Sequence, residues 1–266
     1  MLRAYPRHCA LLALPVFACA RHRAPPDPPV AWSTAAPGLD VAKVAPAPDV
    51  EAWAVRYDQD LYSLSLRWSP TGLRIPDALP KGFVAAVNGG YFERDLRPSG
   101  LLIVDGRQIQ AESGHHGALV LRDGRASLSY LHDVRASETA SVLQAWPFLI
   151  EPGGADGIRT DDGRRSRRTA FGIDTAGRGL IVAVPDQGLS LHQLMCLCRR
   201  LGATSAVNLD GGPSTGFALA LPPGWTSETA TDVSNLLVLT RRAPLPQAAD
   251  ERSPSDPARS TATHAL

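Results

Sequence analysis

Three polar segments of this chain combine side chains able to handle a charged, hydroxyl-rich ligand. They are Asn88-Gly89-Gly90-Tyr91-Phe92, Arg168-Thr169-Ala170-Phe171-Gly172-Ile173 and Asn208-Leu209-Asp210-Gly211-Gly212-Pro213-Ser214-Thr215. Together they supply an amide, a guanidinium, a carboxylate and hydroxyls, a set suited to a polar, anionic substrate. A carboxylate such as Asp210 can stabilise positive charge developing at a sugar carbon, or it can bind a cation. The planar donor fork of Arg168 suits a phosphate or a carboxylate. Asn88 can offer its amide to sugar hydroxyls, and the backbone N–H groups at Gly89 and Gly90 can face an anion. The glycine pairs 89–90 and 211–212 let a ligand approach the main chain closely.

Each feature also has a plain structural reading. An isolated Asp-Gly is a turn, but the octet 208–215 has no other charge and several groups able to converge on a ligand. Gly212-Pro213-Ser214-Thr215-Gly216 matches G-x-S-x-G, the pattern of a hydrolase nucleophile elbow. No helix signal follows Ser214, and the single histidine beyond it is His264 near the end of the chain, so a triad nucleophile is rejected. Arg164, Arg165 and Arg167 read as a solvated charged loop, whereas Arg168 stands at the mouth of an apolar run. His115 and His116 read as surface loop, because neighbours on an extended chain face opposite ways. Glu93 and Asp95 are the other carboxylates near the first motif. Cys196 and Cys198 are two apart on an expected helix, cannot bridge without distortion, and read as small core residues. No second Cys or His pair stands at metal-ligand spacing beside them.

The elements that must position these groups are mostly strands. Residues 61–68 alternate Tyr62, Leu64, Leu66 and Trp68 against polar residues, which predicts a half-buried strand. Apolar runs at 83–87 and 203–207 feed the first and third motifs, and a last strand is expected at 235–239. Asp105-Gly106 and Asp123-Gly124 follow the runs 101–104 and 118–121, a strong hairpin signal. Residues 170–174 and 179–184 form another hairpin. One helix is clear: Ser190 and Gln193 make a capping box, Leu191, Leu194, Met195, Cys198 and Leu201 recur at helical spacing, and Gly202 fits just past its end. A shorter helix is expected at about 137–145. The expected class is α+β, a mixed, mostly antiparallel sheet with a few packed helices.

The chain has 266 residues, of which 44% are hydrophobic, with 27 Lys+Arg against 26 Asp+Glu and a net charge of +1. That balance gives no electrostatic case for nucleic acid as a partner. Residues 1–20 read as an export signal: Arg3, Arg7 and His8, then a short apolar run ending at Ala18-Cys19-Ala20. Either that leader is cleaved, or Val16-Phe17-Ala18-Cys19 acts as a lipobox and Cys19 carries a lipid anchor. An exported protein, periplasmic or membrane-anchored, is expected on either reading. Prolines at 25, 26, 28, 29, 37, 46 and 48 mark 21–48 as an extended linker, 49–241 as the folded domain, and 242–266 as a disordered tail.

Taken in order, these motifs resemble the phosphodiester glycosidase family. The matching segments are 88–92, Ser99-Gly100-Leu101-Leu102-Ile103 with Asp105-Gly106, Gln144-Ala145 before Pro147, 168–173, and 208–212 with Ser214. Trp146 departs from the small residue that commonly precedes that proline, and Pro213 from a third glycine. The resemblance implies hydrolysis of a sugar-1-phosphodiester at the anomeric carbon, with Asp210, Arg168 and Asn88 catalytic. Gly89, Gly90, Ser99, Gln144, Gly211, Gly212 and Ser214 would then line the substrate site. No cofactor is implied; a divalent cation on Asp210 is the metal-dependent alternative. The expected partner is a sugar phosphodiester or a cell-envelope glycan, and a non-enzymatic glycan-binding module is the rival class.

Overall fold

The computed structural model describes residues 29–135, 141–221 and 224–243. The leader, and the tail from 244 on, lie outside the described residues. The strands run in chain order as β1 (Ser33–Ala36), β2 (Leu39–Ala47), β3 (Val50–Tyr57), β4 (Tyr62–Leu73), β5 (Phe83–Asn88) and β6 (Leu102–Val104). They continue as β7 (Arg107–Gln110), β8 (Gly117–Arg122), β9 (Arg125–Tyr130), β10 (Ser141–Gln144), β11 (Phe148–Ile150), β12 (Ser166–Asp174) and β13 (Gly179–Leu189). After α1 (Leu191–Arg200) come β14 (Ala203–Asn208), β15 (Phe217–Leu219), β16 (Trp225–Ser227) and β17 (Val233–Arg241). These strands make three sheets, ordered β1-β2-β3-β13-β12-β14-β11, β7-β6-β10-β8-β9 and β16-β15-β5-β17-β4.

Alternation along the long strands divides the core. On the seven-stranded sheet Val55, Phe171, Ile181 and Val207 point into a central core shared with Leu64, Val87, Leu143 and Leu237 of the other sheets. Their neighbours Ala54, Ala170, Val182 and Ala206 face the opposite way, onto Leu194, Leu197 and Cys198 of α1. The helix starts as its sequence demands: Ser190 Oγ accepts from Gln193 N–H (3.1 Å), and Gln193 Oε1 accepts from Ser190 N–H (3.0 Å). Gly202 lies just beyond it at φ +96. Both Asp-Gly hairpins form with positive φ at each residue, Asp105 48°, Gly106 76°, Asp123 50° and Gly124 70°. That is the turn whose twist matches its flanking strands. Burial pushes the Cys198 thiol up to about 12, an inert core group as expected, whereas Cys196 is exposed.

Three expectations need correction. The fold is β-rich and antiparallel rather than α+β with several helices; α1 is the one α-helix among the described residues. Residues 141–144, assigned to a second helix, form strand β10 between β6 and β8, with all four side chains buried. A two-faced buried slot outweighs helix propensity there; residues 137–140 lie outside the described residues. Finally, 33–47 is not spacer. It makes β1 and β2, and Val41, Ala42 and Val44 are buried against β3, so the sheet begins well before residue 49.

Candidate active site

The motif segments meet where three strands end. Antiparallel pairing of β12 with β14 sets Ala170 opposite Asn208, which puts the start of β12 beside the end of β14. Asn88 ends β5 in another sheet. The Asp210 N–H donates to Gly89 O (3.0 Å) and the Leu209 N–H to Thr169 O (2.9 Å), joining all three motifs through the main chain. Gly211 passes so close to β12 that an added Cβ would lie 2.7 Å from Arg167 O and 3.9 Å from Arg168 Cα. Only glycine fits that approach.

Asn88, 1% exposed, holds the junction together. Its Nδ2 donates to Asp210 O (2.7 Å), and its Oδ1 accepts from Thr169 Oγ1 (2.6 Å) and Gly216 N–H (3.3 Å). The amide expected to meet sugar hydroxyls is therefore occupied, and its work is to fix the Asp210 loop. Buried Asn235 on β17 does the same for the glycine turn: its Oδ1 accepts from Gly90 N–H (2.7 Å), and a Cβ on Gly89 would sit 1.9 Å from that oxygen.

Gln144 is likewise a clamp. Its Oε1 accepts from Leu101 (2.6 Å) and Ser113 (3.0 Å) N–H, and its Nε2 donates to Ser113 O (2.9 Å) and His115 O (2.7 Å). Two donors and two acceptors exhaust a glutamine amide, so Gln144 has nothing left for substrate. Gln144→Leu should cost about 2 kcal/mol, since it strands those main-chain groups; equilibrium denaturation measures it. Ser99 hydroxyl donates to the exposed Glu93 (2.8 Å) on the neighbouring loop, and Asp95 is exposed beside Arg97. Gly100 packs on Gln144.

The groups with chemistry to spare are Asp210, Arg168, Ser214 and Tyr91. Burial pulls the Asp210 carboxyl above the ordinary carboxylate range, partly offset by hydrogen bonds from Ser214 hydroxyl and Gly211 N–H (2.8 Å). Ser214 sits in a 3-10 turn at Gly212–Ser214, where Gly212 adopts φ +60. Arg168 is half-buried, and desolvation draws its guanidinium below the usual arginine value. Its Nε donates to Leu189 O (2.8 Å) and its Nη2 to Arg164 O (3.1 Å), which aims the fork without a carboxylate partner. The Tyr91 phenol feels both charges: burial and then Asp210 push it far up, while Arg168 pulls it down. One phenol thus lies within electrostatic range of the acid and the base alike.

Tyr91 also organises the rim. Its O–H donates to Trp146 O (2.9 Å) and accepts from Asn208 Nδ2. The Tyr91 and Trp146 rings lie 4.4 Å apart, and the exposed His115 ring stacks on Trp146 at 4.0 Å, so that histidine is more than plain loop. Sequence reasoning passed over Arg167 as well. Its guanidinium donates to Thr215 O behind the Asp210 loop. Period-two spacing with Thr169 and Phe171 was the available signal, since all three share the inner face. For Asn235 the signal was a polar residue inside the apolar run 233–239. Among the described residues no group of three His, Cys, Asp or Glu side chains is placed to hold a metal ion.

An antiparallel scaffold thus brings a half-buried arginine, a partly buried carboxylate and a glycine-lined turn to one end. The chain belongs to the phosphodiester glycosidase family, whose sequence profile matches residues 81–244. The N-acetylglucosamine-1-phosphodiester alpha-N-acetylglucosaminidase of Mus musculus is 27% identical over 169 residues, 53% of this chain and 33% of that protein. The match thus spans about a third of the length of that relative. The zebrafish enzyme of the same name, a catalytic domain auto-inhibited by its pro-peptide, superposes with TM-score 0.61 at 19% identity, covering 81% of this chain and 87% of the other. A hypothetical protein from Synechocystis gives TM-score 0.56 at 17% identity, over 81% and 64% of the two chains. At such identities the superpositions speak for the fold.

Proposed function

We propose that this chain is an exported hydrolase that cleaves a sugar-1-phosphodiester at the anomeric carbon. The observation that carries the reading is the main-chain junction in which the Leu209 N–H meets Thr169 O and Gly211 packs against Arg167 and Arg168, so that the Asp210 turn and the Arg168 strand end lie side by side. Arg168 binds the bridging phosphate and neutralises it as the C1–O bond breaks. The electron pair leaves on a phosphate ester oxygen, already a weak base, so strong general-acid assistance is less necessary than for an alkyl glycoside. Asp210, ionised, faces the oxocarbenium-like carbon as nucleophile or stabiliser. Water supplies the hydroxyl that ends on C1, and its proton goes to solvent. Ser214 holds the carboxylate in position, while Asn88, Asn235 and Gln144 keep the surrounding turns in place.

The activity for which the mouse and bovine relatives are named supports a substrate in which N-acetylglucosamine is the sugar. The basic start and apolar run of residues 3–17 support export, and Cys19 would be the anchor in a lipidated form. The experiment is hydrolysis of a chromogenic N-acetylglucosamine-1-phosphodiester, with and without EDTA. Turnover unaffected by chelator is expected; glycan binding without any turnover would overturn the proposal. Arg168→Lys should lower kcat/KM by about 10²-fold, mainly in kcat, because a point charge cannot reproduce the aimed fork at the departing phosphate. Unchanged kcat with a raised KM would assign Arg168 to ground-state binding alone.

A further inference from the structure

A cavity of about 280 Å³ takes no part in the chemistry above. It lies between edge strands, β4 of one sheet and β7 of another. Trp68, Gln108, Gln110, Arg97, Asp95 and Pro98 are among its lining residues. Its position relative to the site is fixed by two connections. Trp68 pairs across the strands with Asn235, the residue whose side chain holds the Gly89-Gly90 turn. Paired residues in an antiparallel sheet share a face, so the indole lies on the same face as the Asn235 side chain that holds the turn. The loop 92–98 closes the other side. It leaves from Tyr91 and returns at Ser99, whose N–H donates to Tyr91 O (3.0 Å).

We infer that this cavity is a second carbohydrate subsite, which takes a further sugar unit of a glycan whose phosphodiester end lies at Asp210 and Arg168. This rests on the proposed glycosidase reading for the direction in which the glycan runs, but binding itself needs no turnover. The lining has the chemistry of a sugar site. An aromatic body offers apolar area to one face of a pyranose, and a few planar amide and guanidinium groups address its ring of hydroxyls. Trp68 packs against the central core and contributes to the wall of the cavity. Asp95 and Arg97 lie 3.8 Å apart, and Arg107 adds a second guanidinium whose planar donors can address sugar hydroxyls.

The test is calorimetric titration of the full chain with tri-N-acetylchitotriose and, separately, with N-acetylglucosamine. The trisaccharide should bind at least about tenfold more tightly than the single sugar, and Trp68→Ala should remove that advantage. Because Trp68 also packs against the core, the Gln108→Ala/Gln110→Ala double variant, on an exposed edge, is titrated alongside with a melting curve for each protein. It should lose about threefold or more of the trisaccharide affinity. No trisaccharide advantage in the wild-type chain overturns the inference. So does wild-type affinity in a folded double variant. Hydrolysis of the chromogenic monosaccharide diester is measured on the wild-type chain alone, so a failed glycosidase reading and a failed subsite give different results.

Discussion

Asp210→Asn is expected to abolish turnover and, at neutral pH, to raise the melting temperature. The loss should be at least about 10³-fold in kcat/KM, the scale seen when a charged catalytic group is removed while its surroundings remain. The gain in stability follows from burial. Asp210 titrates above the ordinary carboxylate range because desolvation outweighs its hydrogen bonds from Ser214 and Gly211. A carboxyl whose folded pKa lies above its unfolded value contributes stability that is fully present below the unfolded value. That contribution is lost as pH rises through the folded value. At pH 7 the ionised group therefore burdens the fold, and an uncharged amide of the same shape relieves it. Below about pH 3, under the unfolded aspartate value of about 3.9, both proteins carry a neutral side chain and should melt alike. Thermal melts of the two proteins at pH 7 and pH 3 check this. A destabilised asparagine variant at pH 7 would mean that the carboxylate is structurally favourable rather than held for function.

Asn88→Ala should damage the site from the opposite side, by unfolding it. Removal of the amide leaves Asp210 O, Thr169 Oγ1 and Gly216 N–H without their partner in a largely buried region. Buried polar groups left unpaired cost about 1–3 kcal/mol each, and partial rearrangement should hold the total near 3 kcal/mol. For a domain of this size that is a fall of roughly 6–12 °C in melting temperature. Activity should fall with it, because the Asp210 loop loses its tether to β5. Asn88→Asp separates the roles. An aspartate keeps the acceptor for Thr169 and Gly216 but sets a carboxylate against Asp210 O, so it should be destabilised as well. A variant at Asn88 that folds like wild type and loses only substrate affinity would restore the direct substrate role expected of this amide.

The positions of the motifs were legible in the sequence because each follows a run whose period or apolarity fixes a strand end: 83–87 before Asn88, 203–207 before Asn208, and 170–174 after Arg168. The helix was legible through its Ser190–Gln193 capping box, and the hairpins through their Asp-Gly pairs. The strands β1 and β2 were not. Pro46, Pro48 and the alanines around them read as spacer, yet a sheet needs only that Val41 and Val44 face inward next to a partner strand. Local composition carries no record of that partner. Residues 141–144 went astray for the same reason, as their strand state is imposed by β6 and β8 on either side.

Side-chain roles were legible only in part. Residue type marked Asn88 and Gln144 as site residues, but whether an amide faces a ligand or a main-chain carbonyl depends on groups 29 to 128 residues away. Both turn inward. Asp210 and Arg168 stand differently: buried enough for their pKa values to move, yet without a charged partner to satisfy them. Arg167 was set aside with its exposed neighbours although one residue of alternation turns it towards Thr215.

The central claim, attack at the sugar carbon rather than at phosphorus, is tested most directly by hydrolysis of the N-acetylglucosamine phosphodiester in ¹⁸O-labelled water. The label should appear in the anomeric hydroxyl of the released sugar, with none in the phosphate ester. Label in the phosphate product would place bond cleavage at phosphorus and contradict the role given to Asp210.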